Sequence, residues 1–251
     1  MSVQAVWGDT WFALRLLALT AVTVGLGAWF GTGLRLLPVW AMVRAALQLT
    51  VVALLLRGVL EVPWTAAAFV VLMLTTASWT SIGRIGALWH GRRAAVVGVL
   101  AGALVSLAGV FVLRLADLEA RYVVATGGIV IGNAMSAATL SGRNFLRSAR
   151  TRATEVEAWL SLGATPAVAH QEIGREAVRE SLIPNLDQAK STGLVTLPGA
   201  FVGALFGGAS PADAARFQLV VLAGIALAMT VTAIVVTTVV GRSPYVVDAH
   251  G

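Results

Sequence analysis

The sequence predicts an all-α integral membrane protein of about seven transmembrane helices, with a charged helix-turn-helix insert between the fifth and sixth. Three observations predict it. Of 251 residues, 58% are hydrophobic and 12% charged, with mean hydropathy +0.85, far from the roughly one-quarter charged fraction of soluble domains. Apolar runs long enough to cross about 30 Å of hydrocarbon recur along the chain. Between Leu140 and Asp187 that apolar character gives way to a charged, helix-forming stretch.

The first run, Trp11 to Phe30, follows a start with no basic residue and an acid at Asp9, so it is expected to be a retained span rather than a cleaved signal. Val39 to Leu56, Trp64 to Ile82, Ala94 to Leu113 and Tyr122 to Leu140 follow as spans two to five. A sixth is expected over about Asp187 to Phe206, interrupted by Lys190 and Pro198, and a seventh over Phe217 to Val239. Small residues recur at four-residue spacing: Gly27 and Gly31; Gly98, Gly102 and Ser106; Gly128, Gly132 and Ser136; Gly199, Gly203 and Gly207. Such stripes let helix backbones approach within one bundle, and one of them suits a seam between two copies. No internal repeat or long linker divides the chain, so a single membrane domain over residues 1–251 is expected, with the insert at about 143–184.

Net charge is +6, but the basic residues lie between the apolar runs rather than on one face, which argues for membrane topology and against a nucleic-acid partner. Placing the N-terminus outside puts Arg35, Arg84, Arg92, Arg93, Arg143, Arg147, Arg150, Arg152, Arg175, Arg179 and Arg242 in the cytoplasm. Only Arg57, Arg114, Arg121 and Arg216 then fall near the outer face, beside Glu61, Asp117, Glu119 and Asp213. The expected orientation is therefore N-terminus out, C-terminus in, with a cytoplasmic insert. The chain has no cysteine, which excludes disulfides, thiolate metal sites and cysteine catalysis.

Within the insert, Arg143 to Arg152 is a basic juxtamembrane segment suited to the anionic lipid of the inner leaflet. Thr154 is placed to cap a helix with Glu155 and Glu157 in its first turn, and Gly163 to end it. Thr165-Pro166 then starts a second helix, in which Glu172 with Arg175 and Glu176 with Arg179 are spaced to pair, and Ala169, Ile173 and Ala177 form an apolar stripe. Trp159, Leu160 and Leu162, beside the turn in a wet segment, call for a burial partner.

Glu157-Ala158 followed by Gly163 resembles the EAA-type cytoplasmic loop of ABC transporter permeases, whose short coupling helix fits a groove on the ATP-binding subunit. Four blocks, Arg44-Ala-Ala-Leu-Gln48-Leu49, Gly132-Asn133-Ala134-Met135, Leu160 to Pro166, and Ile183-Pro184 through Asp187 and Lys190 to Pro198-Gly199, resemble the FetB-type permeases, a family of bacterial iron exporters. The resemblance runs from about Arg44 to Val240 and departs from the importer loop in its proline, which comes late, at Pro184. It implies a bacterial inner-membrane permease of two copies with two ATPase subunits, ATP and Mg being held by the partner. It also implies docking of that partner on Glu157, Trp159, Leu160, Leu162, Gly163, Ala164, Thr165 and Pro166. The residues agree that ATP is handled in trans: no Gly-x4-Gly-Lys-Ser/Thr occurs, and the sole lysine, Lys190, follows Asp-Gln-Ala. The chain itself is therefore expected not to be an enzyme and to bind no cofactor.

Polar groups at membrane depth mark a translocation pathway, because hydrocarbon does not solvate them. Arg44 and Gln48 share one face of span two, and Gln48, Asn133 and Pro198 are expected near the midplane, with Ser136 and Gly199 beside them. Gln48 and Asn133 also suit plain interhelical hydrogen bonds. Asp187 and Lys190 are spaced to neutralise each other or to latch the insert to the bundle. No metal site is assignable: His90, His170 and His250 fall outside the spans and no Asp or Glu lies deep in one. Iron, another metal ion or a metal chelate is the cargo the resemblance implies, whereas the basic charges suit an anionic solute such as a nucleotide-linked sugar. A non-transporting scaffold or sensor would use the same insert; an intramembrane hydrolase is disfavoured, because no histidine lies in a span and no Gly-x-Ser-x-Gly occurs.

Overall fold

The structure of the protein, a computed structural model, describes residues 10–61 and 63–244. Met1 to Asp9 and His250 lie outside the described residues, as do the side chains of Arg57 and Glu61. The chain divides into two compact units, Met1–Thr65 and Ala66–Gly251.

The first unit is a hairpin of α1 (Thr10–Trp29) and α2 (Leu37–Glu61), packed on each other. Its turn needs left-handed backbone, supplied by Gly31 and Gly33 at φ 71° and 70°, where a Cβ would be strained. Thr20 and Thr23 donate to the carbonyls of Leu16 and Leu19, so that each hydroxyl is satisfied within its own helix, as hydrocarbon requires. Leu17, Leu19, Trp40, Leu47 and Leu49 are exposed, an apolar surface suited to lipid rather than water.

The second unit holds α3 (Pro63–Ile85, from Ala66 onward), α4 (Gly91–Val112), α5 (Ala120–Thr151), α6 (Ala153–Ser161), α7 (Pro166–Ala169), α8 (Gln171–Ser191), α9 (Gly199–Phe206) and α10 (Pro211–Val240). Ser210 starts α10 by accepting the Asp213 amide at 3.2 Å, ahead of Pro211 in the first turn. The core is built of small residues: Ala94, Ala95, Ala103, Ala134, Ala138, Ala228 and Ala233 are all 0% exposed. In lipid, where apolar surface gains nothing by leaving the solvent, close van der Waals fit must hold helices together. The Gly98, Gly102 and Ser106 stripe does this within the bundle. Gly98 faces Val236, Gly102 faces Thr232 and the Ala228 carbonyl, and Ser106 donates to the Gly224 carbonyl at 2.7 Å. That pairing runs α4 antiparallel to α10.

Val70, Met73 and Ile85 meet Gly127, Gly128 and Gly142 in turn, so α3 runs parallel to α5. Phe145 and His170 lie beside Gly241, which puts the ends of α5 and α10 together. We call this the carboxyl end of the unit. With 32 and 30 residues, α5 and α10 measure about 48 and 45 Å at 1.5 Å per residue, well over the roughly 30 Å of a hydrocarbon core.

Among the described residues six helices are long and apolar enough to cross a membrane: α1 to α5 and α10. The expected sixth span, Asp187 to Phe206, is not one helix. Asp187 to Ser191 are the last turn of α8, Thr192 leaves the helical region, Gly193 turns at φ 94°, and α9 begins only after Pro198. A proline without an amide hydrogen, disfavouring helix at Leu197, and a left-handed glycine split what an averaged hydropathy merges. The broken segment nonetheless runs the height of the unit, antiparallel to α10, with Gly174 against Thr237 and the Phe201 amide bonded to Gln218.

The insert departs from expectation at its start. Arg152, not Thr154, holds the N-cap position of α6, with no side-chain cap. The turn after α6 is as expected: Gly163 takes φ 86°, and the Gly163 and Ala164 amides bond back to Leu160 and Trp159. Thr165-Pro166 opens α7, but that helix stops at His170, so the second arm is two pieces, α7 and α8. Ala169, Ile173 and Ala177 are buried, forming the apolar stripe foreseen.

A methyl added at Gly102 would overlap the Thr232 hydroxyl and the backbone of α10, whereas Gly132 has open space around it. Gly102→Ala should therefore destabilise by about 1–3 kcal/mol, and Gly132→Ala by nothing or less than nothing. Thermal unfolding of the two purified variants checks this; equal melting points would refute the α4–α10 contact.

Candidate docking elbow and translocation segment

At the carboxyl end, α6 and α7 form an elbow around Leu162 to Thr165. Val156 is 1% exposed and Leu160 packs against the main core, fixing one face of α6. The flank beside it presents Trp159 at 47% exposure and Leu162 at 81%, with Val168 beyond the turn at 51%. Glu157, Gly163 and Thr165 are also exposed, while Ala164 and Pro166 are half-buried. Of the expected docking residues, Leu160 thus turns inward, and the others stand on or beside the outer face.

The elbow is braced by charge. Arg152 bonds both oxygens of Glu155, at 2.7 and 2.8 Å, and reaches Glu176 of α8 at 3.4 Å. Glu176 was expected to pair with Arg179; it closes the gap between the two arms instead. Glu172 pairs with Arg175 at 3.4 Å, as its spacing implied. The bidentate hydrogen bond from Arg152 holds the Glu155 carboxyl below its ordinary value, and a weaker bond from Trp159 adds to this. His170, 2% exposed, has Nδ1 2.9 Å from the Pro166 carbonyl and its ring beside Phe145, filling the joint between α7 and α8. Sequence reasoning gave Arg152 and His170 no such part; the three-residue spacing of Arg152 and Glu155 was the available signal.

The second group surrounds the broken segment. Twenty-seven residue steps separate Gly174 from Phe201, against nineteen between their partners Thr237 and Gln218 on α10. The surplus is the turn from Thr192 to Pro198, which stands off the bundle with Leu194 98%, Val195 81% and Leu197 65% exposed. Its own amides are partly closed: Gly193 donates to Thr196, and Val195 and Thr196 to Ser191. Pro198 caps α9 and Gly199 opens it with no neighbour near its α-carbon. Gln218, 5% exposed, accepts the Phe201 amide at 3.2 Å and so satisfies the start of α9.

Asn133 and Ser136 lie on α5, half-buried, and donate to carbonyls of their own helix, Ile129 at 2.8 Å and Gly132 at 3.0 Å. Asn133 falls four residues from both Ile129 and Ala137, whose cluster includes Leu182 and Ala200 on either side of the break. It therefore stands on the face of α5 turned to the broken segment. Arg44 and Gln48 belong to the first unit, where both are exposed on α2. Asp187 and Lys190 bond at 3.0 Å within α8, both exposed, the mutual neutralisation their spacing allows. Beyond the break, Gly203 and Gly207 line a cavity of about 760 Å3 with Tyr122, Asp213 and Phe217 at the opposite end of the unit. Among the described residues no three His, Asp or Glu side chains gather as a metal site.

The lowered Glu155 value predicts a pH effect on the brace. A carboxylate depressed on folding contributes stability above its unfolded value of 4.5, and that contribution is lost as pH falls through the lower folded value. Wild type should melt above Glu155→Gln at neutral pH, with the gap narrowing only below about pH 4.5. A gap independent of pH in melting curves would count against the ion pair.

Comparison with known proteins places this architecture. Residues 11–245 match the model of the family described as "Uncharacterised protein family (UPF0014)". The chain is 34% identical over 223 residues to UPF0014 membrane protein STAR2 of Oryza sativa subsp. japonica, covering 88% of this chain and 78% of the relative. It is 36% identical over 192 residues to UPF0014 membrane protein YjkA of Bacillus subtilis, covering 72% and 74%. A relative at 29% identity over 184 residues, covering 72% and 71%, is the Escherichia coli protein named "Probable iron export permease protein FetB". No solved structure matches the chain. With nearly its whole length matched and relatives above 30% identity, the chain belongs to the UPF0014 family of membrane proteins and resembles its FetB-type members.

Proposed function

We propose that this chain is the membrane-spanning permease subunit of an ABC transporter, exporting iron, another metal ion or a metal chelate and energised by a separate ATP-binding subunit. The observation that carries the reading is the elbow: an apolar knob, Trp159 and Leu162, held rigidly on a buried face and an ion-pair brace at the charged end of the unit. Water leaves such a knob uncovered unless a soluble partner takes it. The name of the Escherichia coli relative supports permease and iron.

In this reading the carboxyl end of the second unit faces the cytoplasm, because Arg84, Arg143, Arg147, Arg150 and Arg175 gather there while Arg121 and Arg216 at the other end pair with Glu119 and Asp213. Seven crossings then put the N-terminus outside, the broken segment α8–α9 serving as the sixth. The chain acts as one membrane domain in a homodimer with two ATPases, MgATP residing on the partner. Closure of the ATPases pushes the elbows, and coupling of this kind typically amounts to about 1–3 kcal/mol.

The broken segment is the moving part. Non-helical backbone at membrane depth is tolerated only inside protein or along a wet cavity, and discontinuous helices of this kind form the sites of many transporters. Pro198 and Gly199, with Asn133 and Ser136 opposite, line the path within the second unit. A second reading keeps the permease and changes the cargo to an anionic solute such as a nucleotide sugar. It is favoured by the absence of a metal-ligating cluster among the described residues.

Trp159→Asp with Leu162→Asp should abolish co-purification of the ATPase while leaving membrane insertion intact, and retained association would remove the docking assignment. Reconstituted with its ATPase and screened over metal ions, chelates and sugar nucleotides, the complex should hydrolyse ATP faster with its cargo. Pro198→Ala or Asn133→Leu should lower that stimulation at least tenfold without loss of assembly. Association with no stimulation by any cargo would favour a scaffold.

Because the chain has no cysteine, Ala164→Cys gives a single reporter of orientation. It should resist a membrane-impermeant maleimide in intact cells and react after permeabilisation; labelling of intact cells would invert the topology.

A further inference from the structure

Three arginines that neither the elbow nor the broken segment uses line one cleft of about 460 Å3 at the carboxyl end of the second unit. Arg84 comes from the last turn of α3, and Arg143 and Arg150 from α5, two turns apart and hence on one face. Between them the lining is mostly apolar, Ile85, Leu88, Trp89 and Leu146, with Ser243 also part of it. Among the described residues no carboxylate lines the cleft. The sequence builds this arrangement through Gly142, whose missing side chain lets Ile85 approach to 2.7 Å from where a Cβ would stand, bringing the two helices into contact at the level of the arginines.

Most arginines among the described residues make no ion pair, so what marks this place is the convergence of three of them in one cleft. Arg121, Arg152, Arg175 and Arg216 each have an acidic partner, whereas Arg143 and Arg150 make no ion pair among the described residues. Arg84 gives one nitrogen to the Thr139 hydroxyl at 3.3 Å, which fixes the head group and leaves its remaining donors free to point into the cleft. Guanidinium groups converging without a carboxylate are suited to a phosphate, which they bind by paired hydrogen bonds. The apolar lining distinguishes the source. A soluble phosphate has no use for Leu88, Trp89 and Leu146, but a lipid brings a glycerol and acyl chains with its phosphate. Trp89 sits in the short turn between α3 and α4, stacked on His90 at 3.8 Å, where an interfacial tryptophan belongs.

The geometry points to a specific site for an anionic phospholipid of the leaflet at this end, its phosphate held by Arg84, Arg143 and Arg150 and its glycerol and upper acyl chains lying on Leu88, Trp89 and Leu146. Basic pockets between spans on the cytoplasmic side bind such head groups by the same physics. The site lies at the carboxyl end of the unit, on α3 and on the last turns of α5, the helix that precedes the elbow. It requires only that the chain spans a bilayer and does not rest on a transport activity.

Native mass spectrometry of the purified chain, after exchange into mixed micelles of phosphatidylglycerol and phosphatidylcholine, tests it without ATPase or cargo. Wild type should retain phosphatidylglycerol in preference. Arg143→Gln with Arg150→Gln should lower retention at least tenfold, while Arg147→Gln with Arg179→Gln, equal in charge lost and outside the cleft, should leave it within twofold. Arg143→Lys with Arg150→Lys should keep the fold and retain lipid at an intermediate level. Equal loss in both glutamine pairs would mean general attraction to a basic surface and overturn the site. Displacement of the lipid by millimolar inorganic phosphate, or no preference over phosphatidylcholine, would overturn the lipid assignment. These outcomes are independent of whether the chain docks an ATPase or moves a solute.

Discussion

The second unit depends on how closely α4 and α10 approach. Between membrane helices apolar surface is no worse off in lipid than in protein, so association must come from contact density and the few hydrogen bonds that can be completed. Gly98 and Gly102 remove the side chains that would hold α10 away, and the Ser106 hydroxyl then reaches the Gly224 carbonyl. The fully buried alanines of α4, α5 and α10 continue the same device. Helices packed this tightly form the frame on which the remaining segments of the unit are mounted.

The part set against it is the segment from Gln171 to Phe206. Its first half is polar and follows α5 and α10 past the end of the hydrocarbon; its second half is a short apolar helix lined with glycine. The turn between them leaves Leu194, Val195 and Leu197 exposed, and α9 beyond it is tied to the frame by Gln218, whose side-chain carbonyl accepts the Phe201 amide. A backbone break with so little side-chain contact is a natural hinge, since the residues that absorb a change in φ and ψ are already outside regular structure. The braced elbow and the break lie on a continuous stretch of chain, α6 through α9, between two helices of the frame, α5 and α10.

The length of α5 joins these parts. At about 48 Å it outruns the bilayer, its final turns carry Arg143 and Arg150 of the basic cleft, and Arg152, the pivot of the brace, stands at its C-cap. In the proposed permease a displacement at Trp159 would be applied to the end of a helix that touches α4, α8 and α10. Ion pairs on the wet surface are weak individually; the brace is supported by Val156, Ala169, Ile173 and Ala177 buried beneath it.

The class of the protein, its helical content, the position of the insert and the turn at Gly163 were legible in the chain, because hydropathy and backbone preference are local quantities. The same local signals placed a single helix over Asp187 to Phe206, where averaged hydropathy hid the combined effect of Gly193 and Pro198. They could not tell Leu160 from Leu162, since which side of a short helix faces the core depends on the neighbour it meets. They paired Glu176 with Arg179 on spacing, whereas Arg152, distant in sequence, reaches it across the turn. Composition and periodicity thus determined what could enter a bilayer. Which glycine stripe would be a packing seam, which apolar residues would remain uncovered and which arginines would converge were decided by contacts between residues far apart in the chain, and those exist only once the helices have packed.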